Sequence, residues 1–377
     1  MPGIYIHIPF CKKKCIYCNF YSVVNTKQIE EYVEAVIVET WRAEPLQKVN
    51  TIYFGGGTPS LLSVNSIQKL LYAIYEKFDV DTEVEITIEA NPEQCMMEYL
   101  ATLRKIGINR ISVGIQSFND EILQYLGRTH TGIDALCAIE NAHKAGFDNI
   151  SADLIYGIYL RSLQDWKNEL RTVFSLPVKH LSAYSLTVEE NTLLHKKISQ
   201  HKTLNINEKQ ALQEMKVLIK EAEKNGFEHY EVSNFSIPSF RSKHNSNYWN
   251  GTPYLGFGAS AHSFTGNTRS WNIANVEKYI KTKQKNEPCF EIEILTPENQ
   301  YNEYVLLRLR TKEGVDLKHL EEQFGAKKRE YFFQQLQKIS SQYFIIESDK
   351  VSITKVGLPL LDFITEKLLF SIISDYL

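Results

Sequence analysis

Cys11, Cys15 and Cys18 stand within eight residues in a C-x3-C-x2-C spacing, the densest cluster of metal-binding side chains in the sequence. Three thiolates on one short loop can each bind one iron of a cubane 4Fe–4S cluster, leaving the fourth iron without a protein ligand. An open iron of that kind can chelate the amine and carboxylate of S-adenosylmethionine and bring its sulfonium beside the cluster for one-electron reduction. A zinc site would need a fourth ligand for closure, which only His7 or a distant residue could supply. Lys12, Lys13 and Lys14 would help retain an electron-rich cluster, and they suit a solvated loop equally well. The loop offers little apolar mass of its own, so without metal it is expected to lose its shape. Cys95, Cys137 and Cys289 are scattered and read as buried or idle thiols.

Gly55-Gly56-Gly57-Thr58-Pro59 follows a β-branched run directly. Consecutive glycines let backbone amides approach a ligand closely and hold an anion, here the methionyl end of the cofactor. Glu89 closes another such run and could meet a ribose or an amine.

These residues need a scaffold that gathers them. Candidate strands at 4–8, 51–54, 84–89, 110–115, 149–155 and 180–186 alternate with amphipathic stretches at 27–43, 63–77, 96–106, 131–145 and 163–174. Such β–α units in series predict an α/β domain over 1–205 with a parallel sheet, either doubly wound or curled into a partial barrel. Both place ligands at the carboxyl ends of the strands. The cysteine loop, GGGTPS, EANPE and Gln116 all fall at such ends. Residues 206–296 are expected to connect this domain to the next, with a long helix at 207–224 and then a Gly-, Asn- and aromatic-rich stretch over 229–264 that is poor in helical period. Residues 297–377 predict helices at 297–311, 315–323 and 327–339, a ribbon at IIESDKVSIT and a last helix. That order makes an α+β C-terminal domain with a winged-helix-like module. It has no concentrated basic face, and the net charge of the chain is −3, so nucleic acid is not expected as a partner. The segment reads instead as a lid or docking module.

No apolar run approaches the roughly eighteen residues a membrane span needs. The opening MPGIYIHIPFC lacks the marks of a secretory signal, so a cytoplasmic protein with peripheral membrane contact at most is expected.

YIHIPFCKKKCIYCNF, GGGTPS, IEANPE, RISVGIQSF, LGRTH, DLIYGI and HNSNYW occur in this order, with RTKEGVD at 310–316. Together they resemble the radical S-adenosylmethionine (SAM) family of oxygen-independent coproporphyrinogen III oxidases and their relatives. The resemblance implies a TIM-like partial (β/α)6 barrel followed by a helical C-terminal domain. It carries the family's cofactor contacts onto Tyr5, Tyr17, Gly56, Gly57, Thr58, Glu89, Gln116, Arg128 and Asp153, some of which touch a second cofactor molecule in the oxidases. From the residues alone, Gln116, Arg128 and Asp153 are polar groups at or beyond strand ends, and Arg128 is the natural partner for a carboxylate.

The sequence departs from the oxidase pattern at three points. Phe20 stands where the oxidases carry a further cysteine, and the first ligand is already residue 11, where they have a longer leading segment that helps hold the porphyrinogen. Residues His244 to Trp249 are similar to the HNxxYW motif of the family's heme-chaperone branch. A neutral imidazole is a good axial ligand for heme iron. Tyr248 and Trp249 could lie against a porphyrin face, with Arg241 and Lys243 meeting its propionates. His262, in GFGASAHSF, is the alternative ligand. The expectation is a protein that binds heme, a 4Fe–4S cluster and SAM and inserts heme into acceptors such as respiratory cytochromes, without oxidase turnover. Whether it forms a homodimer is left open. The alternative is a true oxidase that decarboxylates coproporphyrinogen III to protoporphyrinogen IX through a 5′-deoxyadenosyl radical.

Overall fold

The computed structural model describes residues 2–44 and 48–370. In the first half, β1 (Gly3–Ile8) leads to α1 (Ile29–Arg42), β2 (Val49–Gly56) to α2 (Val64–Lys77) and β3 (Val80–Ala90) to α3 (Met97–Lys105). β4 (Arg110–Gln116) is followed by α4 (Asp120–Leu126) and α5 (Gly132–Lys144), and β5 (Asn149–Tyr156) by α6 (Leu163–Ser175). β6 (His180–Ser185) is followed by α7 (Leu193–Ser199) and α8 (Glu208–Lys224). The six strands run parallel and pair in chain order.

Alternation along these strands decides between the two sheet forms. Ile4, Ile6 and Ile8 of β1, Ile52 and Phe54 of β2, and Ile86 and Ile88 of β3 are buried in one core with Tyr32, Val33 and Val36 of α1 and Ile67, Leu70 and Ile74 of α2. The intervening residues are Tyr5 and His7, Thr51 and Tyr53, and Thr87 and Glu89, which are too polar for a second helix-covered face. A doubly wound sheet buries both faces under helices. Here one face is apolar and the other lines a polar lumen, which is the curled form.

Residues 229–264 are not the irregular connection expected. β7 (Glu228–Glu231) and β8 (Asn234–Ser236) extend the sheet antiparallel beyond β6. After α9 (Lys243–Trp249), β9 (Tyr254–Phe257) pairs parallel to β1. β10 (His262–Phe264), β11 (Thr268–Asn272), α10 (Val276–Lys285) and β12 (Phe290–Ile294) complete a sheet of order β12-β11-β10-β9-β1-β2-β3-β4-β5-β6-β8-β7. Strands this short show no readable period, and they form because the edges of the parallel sheet supply their partners.

The C-terminal part contains α11 (Pro297–Leu309), β13 (Val315–Asp316), α12 (Leu317–Phe324), α13 (Ala326–Leu336), β14 (Phe344–Glu347), β15 (Lys350–Ile353) and α14 (Leu361–Leu368). Its sheet has the order β13-β15-β14. It has its own core, in which Tyr301, Val305, Leu320, Phe332, Val351 and Ile364 are buried. Arg241–Glu313 (2.7 Å), Arg269–Glu303 (2.6 Å) and the Val232 amide on Arg310 O (3.0 Å) join it to the sheet. Among the described residues no helix is long and apolar enough to cross a membrane.

Candidate cluster and cofactor site

The loop after β1 carries Cys11, Cys15 and Cys18, all partly exposed and none in a disulfide. Its own contacts set its shape. The Cys11 amide donates to Val23 O (3.0 Å), the Val23 amide to Pro9 O (2.7 Å) and the Ile16 amide to Leu126 O (3.2 Å). Ile16 is buried with Ile122, Leu126, Ile155 and Leu194, and the Leu194 amide donates to Ile16 O at 2.8 Å. Where little apolar mass was expected, the loop has one apolar anchor, Ile16, between the second and third cysteines.

A chain of side chains runs from the first cysteine to the second. Thr58 Oγ1 lies 3.7 Å from Cys11 Sγ, and Asn91 Nδ2 donates to Thr58 Oγ1 at 3.3 Å. Arg128 Nη2 donates to Asn91 Oδ1 at 2.6 Å and to Gly114 O at 2.8 Å, while Nη1 lies 3.4 Å from Cys15 Sγ. A guanidinium is therefore held beside a thiolate position, where it offsets the charge of an electron-rich centre. Asn91 was not legible as a site residue, although it lies within EANPE. Its role emerges only once the loops after β2, β3 and β4 are side by side. Among the described residues no three His, Cys, Asp or Glu side chains converge as a single metal ion requires. Three thiols on separate irons of a cube need not converge, and the soft donor set fits such a cluster.

The glycine run forms the adjoining cradle. Gly56 has φ +118°, and a Cβ there would stand 2.7 Å from the His7 ring. A Cβ on Gly57 would stand 2.8 Å from Phe10 O and 3.0 Å from Cys11 Sγ, so only glycine fits against the loop. Glu89 accepts from Tyr53 Oη (2.8 Å) and from the Gly56 amide (3.2 Å). Asp153 accepts from Ser112 Oγ (3.0 Å) and Ser151 Oγ (3.5 Å). Burial raises the pKa of Glu89 to about 7 and of Asp153 to about 6, in both cases against the pull of their donors. Arg110 lies buried between these groups, with Nε and Nη1 lacking a hydrogen-bond partner among the described residues. Tyr5 Oη bonds His7 Nδ1 at 3.0 Å, and Gln116 ends β4 with φ +69°. Tyr17 packs on the cluster of residues around Ile16.

Glu89 holds its proton more tightly in the folded chain than in the unfolded one. Folding therefore takes up a proton at Glu89 between the ordinary value of 4.5 and about 7, and the contribution of Glu89 to stability falls as pH rises through that window. Glu89→Gln is expected to remove this contribution, while Asp153 and Glu231, also raised by burial, act in the same direction and buried histidines such as His244, lowered by burial, act in the opposite one. Urea unfolding at about pH 5 and about pH 8 checks the sign. An unchanged difference in the variant would assign the slope elsewhere.

Below the loops after β4 and β5 lies a buried ionic network that the sequence did not reveal. Arg161 Nη1 meets Glu169 Oε2 at 2.8 Å, and Nη2 meets Glu214 Oε2 at 3.0 Å and Ile155 O at 3.0 Å. Glu169 accepts from Ser117 Oγ and from the Phe118 amide (3.3 Å), and Glu214 accepts from the Gly157 amide (2.6 Å). These bonds tie the turns beyond Gln116 and Asp153 to α6 and α8.

The HNSNYW segment is a helix. Ser242 caps α9 by accepting the Asn245 amide, and Glu85 accepts the amides of Lys243 (3.2 Å) and His244 (3.1 Å). His244 is 1% exposed, with Nδ1 2.8 Å from Thr51 Oγ1 and Nε2 2.8 Å from Tyr248 Oη. Its ring stacks on Tyr53 at 4.9 Å. Burial, and then the charge of Arg110, lower its pKa to about 3. It is therefore neutral, but neither nitrogen is free. Tyr248 lies edge-on to Tyr254 at 4.6 Å, and Trp249 is half-buried with its indole N–H unpartnered among the described residues. Arg241, expected at a propionate, is instead held by Glu228 and Glu313 at 2.7 Å each, while Lys243 is exposed. His262 is exposed on β10.

The pattern of the Radical SAM superfamily matches residues 5–173, and that of the HemN C-terminal domain matches residues 295–360. In overall fold the chain is similar to the coproporphyrinogen III oxidase HemN of Escherichia coli, a radical SAM enzyme, with a TM-score of 0.83 at 23% identity over 98% of this chain and 90% of that one. The heme chaperone HemW of Lactococcus lactis is 35% identical over 97% of this chain and 96% of its own length. The heme chaperone HemW of Bacillus subtilis is 34% identical over 86% and 87%, and that of Mycobacterium tuberculosis is 32% identical over 87% and 85%. With a barrel of this form, a three-cysteine loop pinned beside a glycine cradle and relatives of this closeness along nearly its whole length, the chain belongs to the HemW heme-chaperone family of radical SAM proteins.

Proposed function

We propose that the protein is a cytoplasmic heme chaperone. It binds heme, carries a 4Fe–4S cluster on Cys11, Cys15 and Cys18, and passes heme to acceptor proteins such as respiratory cytochromes. Membership of the HemW family supports this, and the observation that carries it against the oxidase alternative is Phe20. That residue is 69% exposed on the cluster loop, at the position where the oxidases carry a further thiol.

Within this reading, SAM lies in the cradle. The side-chain-free backbone of Gly56 and Gly57, whose amides are held by Glu89 and Ile8 O, would leave room for its methionyl end, Arg128 would meet its carboxylate, and Glu89 its amine or ribose. Thr58 and Asp153 line the same lumen, with Tyr5, Tyr17 and Gln116 at its wall and rim. The bound cluster supplies one-electron reduction toward the sulfonium. The chain's own residues present the thiolates, place a guanidinium beside them and raise the pKa of the lumen carboxyls. Membrane contact is peripheral.

Reconstituted protein incubated anaerobically with SAM, a reductant and coproporphyrinogen III is expected to yield no protoporphyrinogen IX. The same protein loaded with heme is expected to restore the spectrum of a heme-free b-type cytochrome. Multiple turnovers of porphyrinogen would replace this reading with that of an oxidase.

A further inference from the structure

The structure offers a seat for the heme that the HNSNYW motif does not itself provide. We propose that heme docks on the lumen-side face of β9–β11, with His262 as the axial ligand of its iron, Trp271 beside the ligating ring and Arg269 at a propionate. This rests on the heme-chaperone reading and names the place where it is carried out.

Register puts these side chains on one face. His262 pairs with Trp271, Phe264 pairs with Arg269, and Phe264 pairs with Tyr254. Tyr254 and Gly256 are in turn in register with Gly3 and Tyr5 of β1, so the face is continuous with the one that lines the lumen. The His262 and Trp271 rings stack at 5.9 Å and 27°. Tyr254 and Phe264 lie 6.4 Å apart, and Tyr248 of α9 abuts Tyr254 edge-on. A flat apolar macrocycle finds here an aromatic surface, an imidazole and a cation, the groups that heme binding uses.

The histidines of the main sheet and α9 differ in availability. His7, His180 and His244 have both ring nitrogens hydrogen-bonded within the protein, and His229 has one. His262 has none among the described residues and is exposed. Partial desolvation, and then the charge of Arg269, lower its pKa, which favours the neutral form that ligates metals. Arg269 is held by Glu303 at 2.6 Å and more loosely by Glu293 at 3.8 Å, so a propionate would take the place of Glu293. His244 would have to give up Thr51, Tyr248 and its stack on Tyr53 to reach an iron. Its helix instead presents Tyr248 to the end of the aromatic row, which makes it a positioning element for the seat.

The test is a hemin titration of the cluster-loaded full chain, read by the Soret band and by the spectrum of the reduced, CO-bound form. His262→Ala is expected to weaken hemin binding at least about tenfold and to lose the imidazole-ligated signature, with added imidazole restoring that signature. Trp271→Ala is expected to weaken binding while keeping the signature. Neither position belongs to the cluster loop, so the absorbance of the cluster is expected to stay unchanged. His262→Ala retaining imidazole ligation would overturn the seat, whichever way His244→Ala behaves. A wild-type chain that takes up no hemin at all would overturn the chaperone reading itself, a different failure from a ligand in another place.

Discussion

Cys15→Ala is expected to bring bound iron and acid-labile sulfide down to background in anaerobically reconstituted protein, with loss of the broad charge-transfer absorption. The loop supplies three thiolates for a cube of four irons, so losing one leaves only two irons ligated by the protein. The fold is expected to survive. Ile16 anchors the loop, and its amide and carbonyl are bonded to Leu126 and Leu194. Cys15 is only partly buried, so the variant should lose no more than about 1 kcal/mol of stability in urea unfolding. Loss of iron with an unchanged unfolding midpoint is the expected pair of results. A full iron complement in the variant would place the ligands elsewhere, and a collapsed midpoint would show that the loop depends on its metal after all.

Arg161→Ala is expected to do the reverse, leaving the cluster ligands in place and undermining their support. Arg161 and Glu214 are fully buried and Glu169 nearly so, so removing the guanidinium leaves two carboxylates in the core without a counter-charge. Such a break costs about 3–5 kcal/mol. The stack of the guanidinium on Trp166, 4.2 Å away, is lost as well, although the two losses do not add simply. Because the network fastens the turns after β4 and β5, affinity for SAM is expected to fall along with stability. Adding Glu169→Gln and Glu214→Gln to Arg161→Ala should recover much of the loss by removing the stranded charges. A cost below about 1 kcal/mol for the single variant would mean that water reaches the carboxylates and the network is not sealed.

The parts of this molecule that could be read from its sequence are those whose physics is local. Parallel strands such as IYIHI announce themselves because their isoleucines face the helices while Tyr5 and His7 face the lumen. The cysteine spacing is a chemical statement in itself. α9 was hidden because its buried face is polar. His244 and Asn247 are satisfied by Thr51 and Asn50, nearly two hundred residues earlier in the chain, and no periodicity records that. Its meaning came from resemblance to a motif, and the structure shows where the motif sits and what occupies its nitrogens. Arg161, Glu169 and Glu214 escaped notice for a related reason. Charged residues normally face water, and only assembly shows that these three face one another.

α9 closes the lumen beneath β1–β3, and Tyr230, bonded to His180 at 2.7 Å, stands beneath β6. The amino ends of these strands are therefore covered by packed polar and aromatic side chains. A molecule bound beside the cysteine loop would meet this packed floor below it, so the face by which it arrives is also the one by which it leaves.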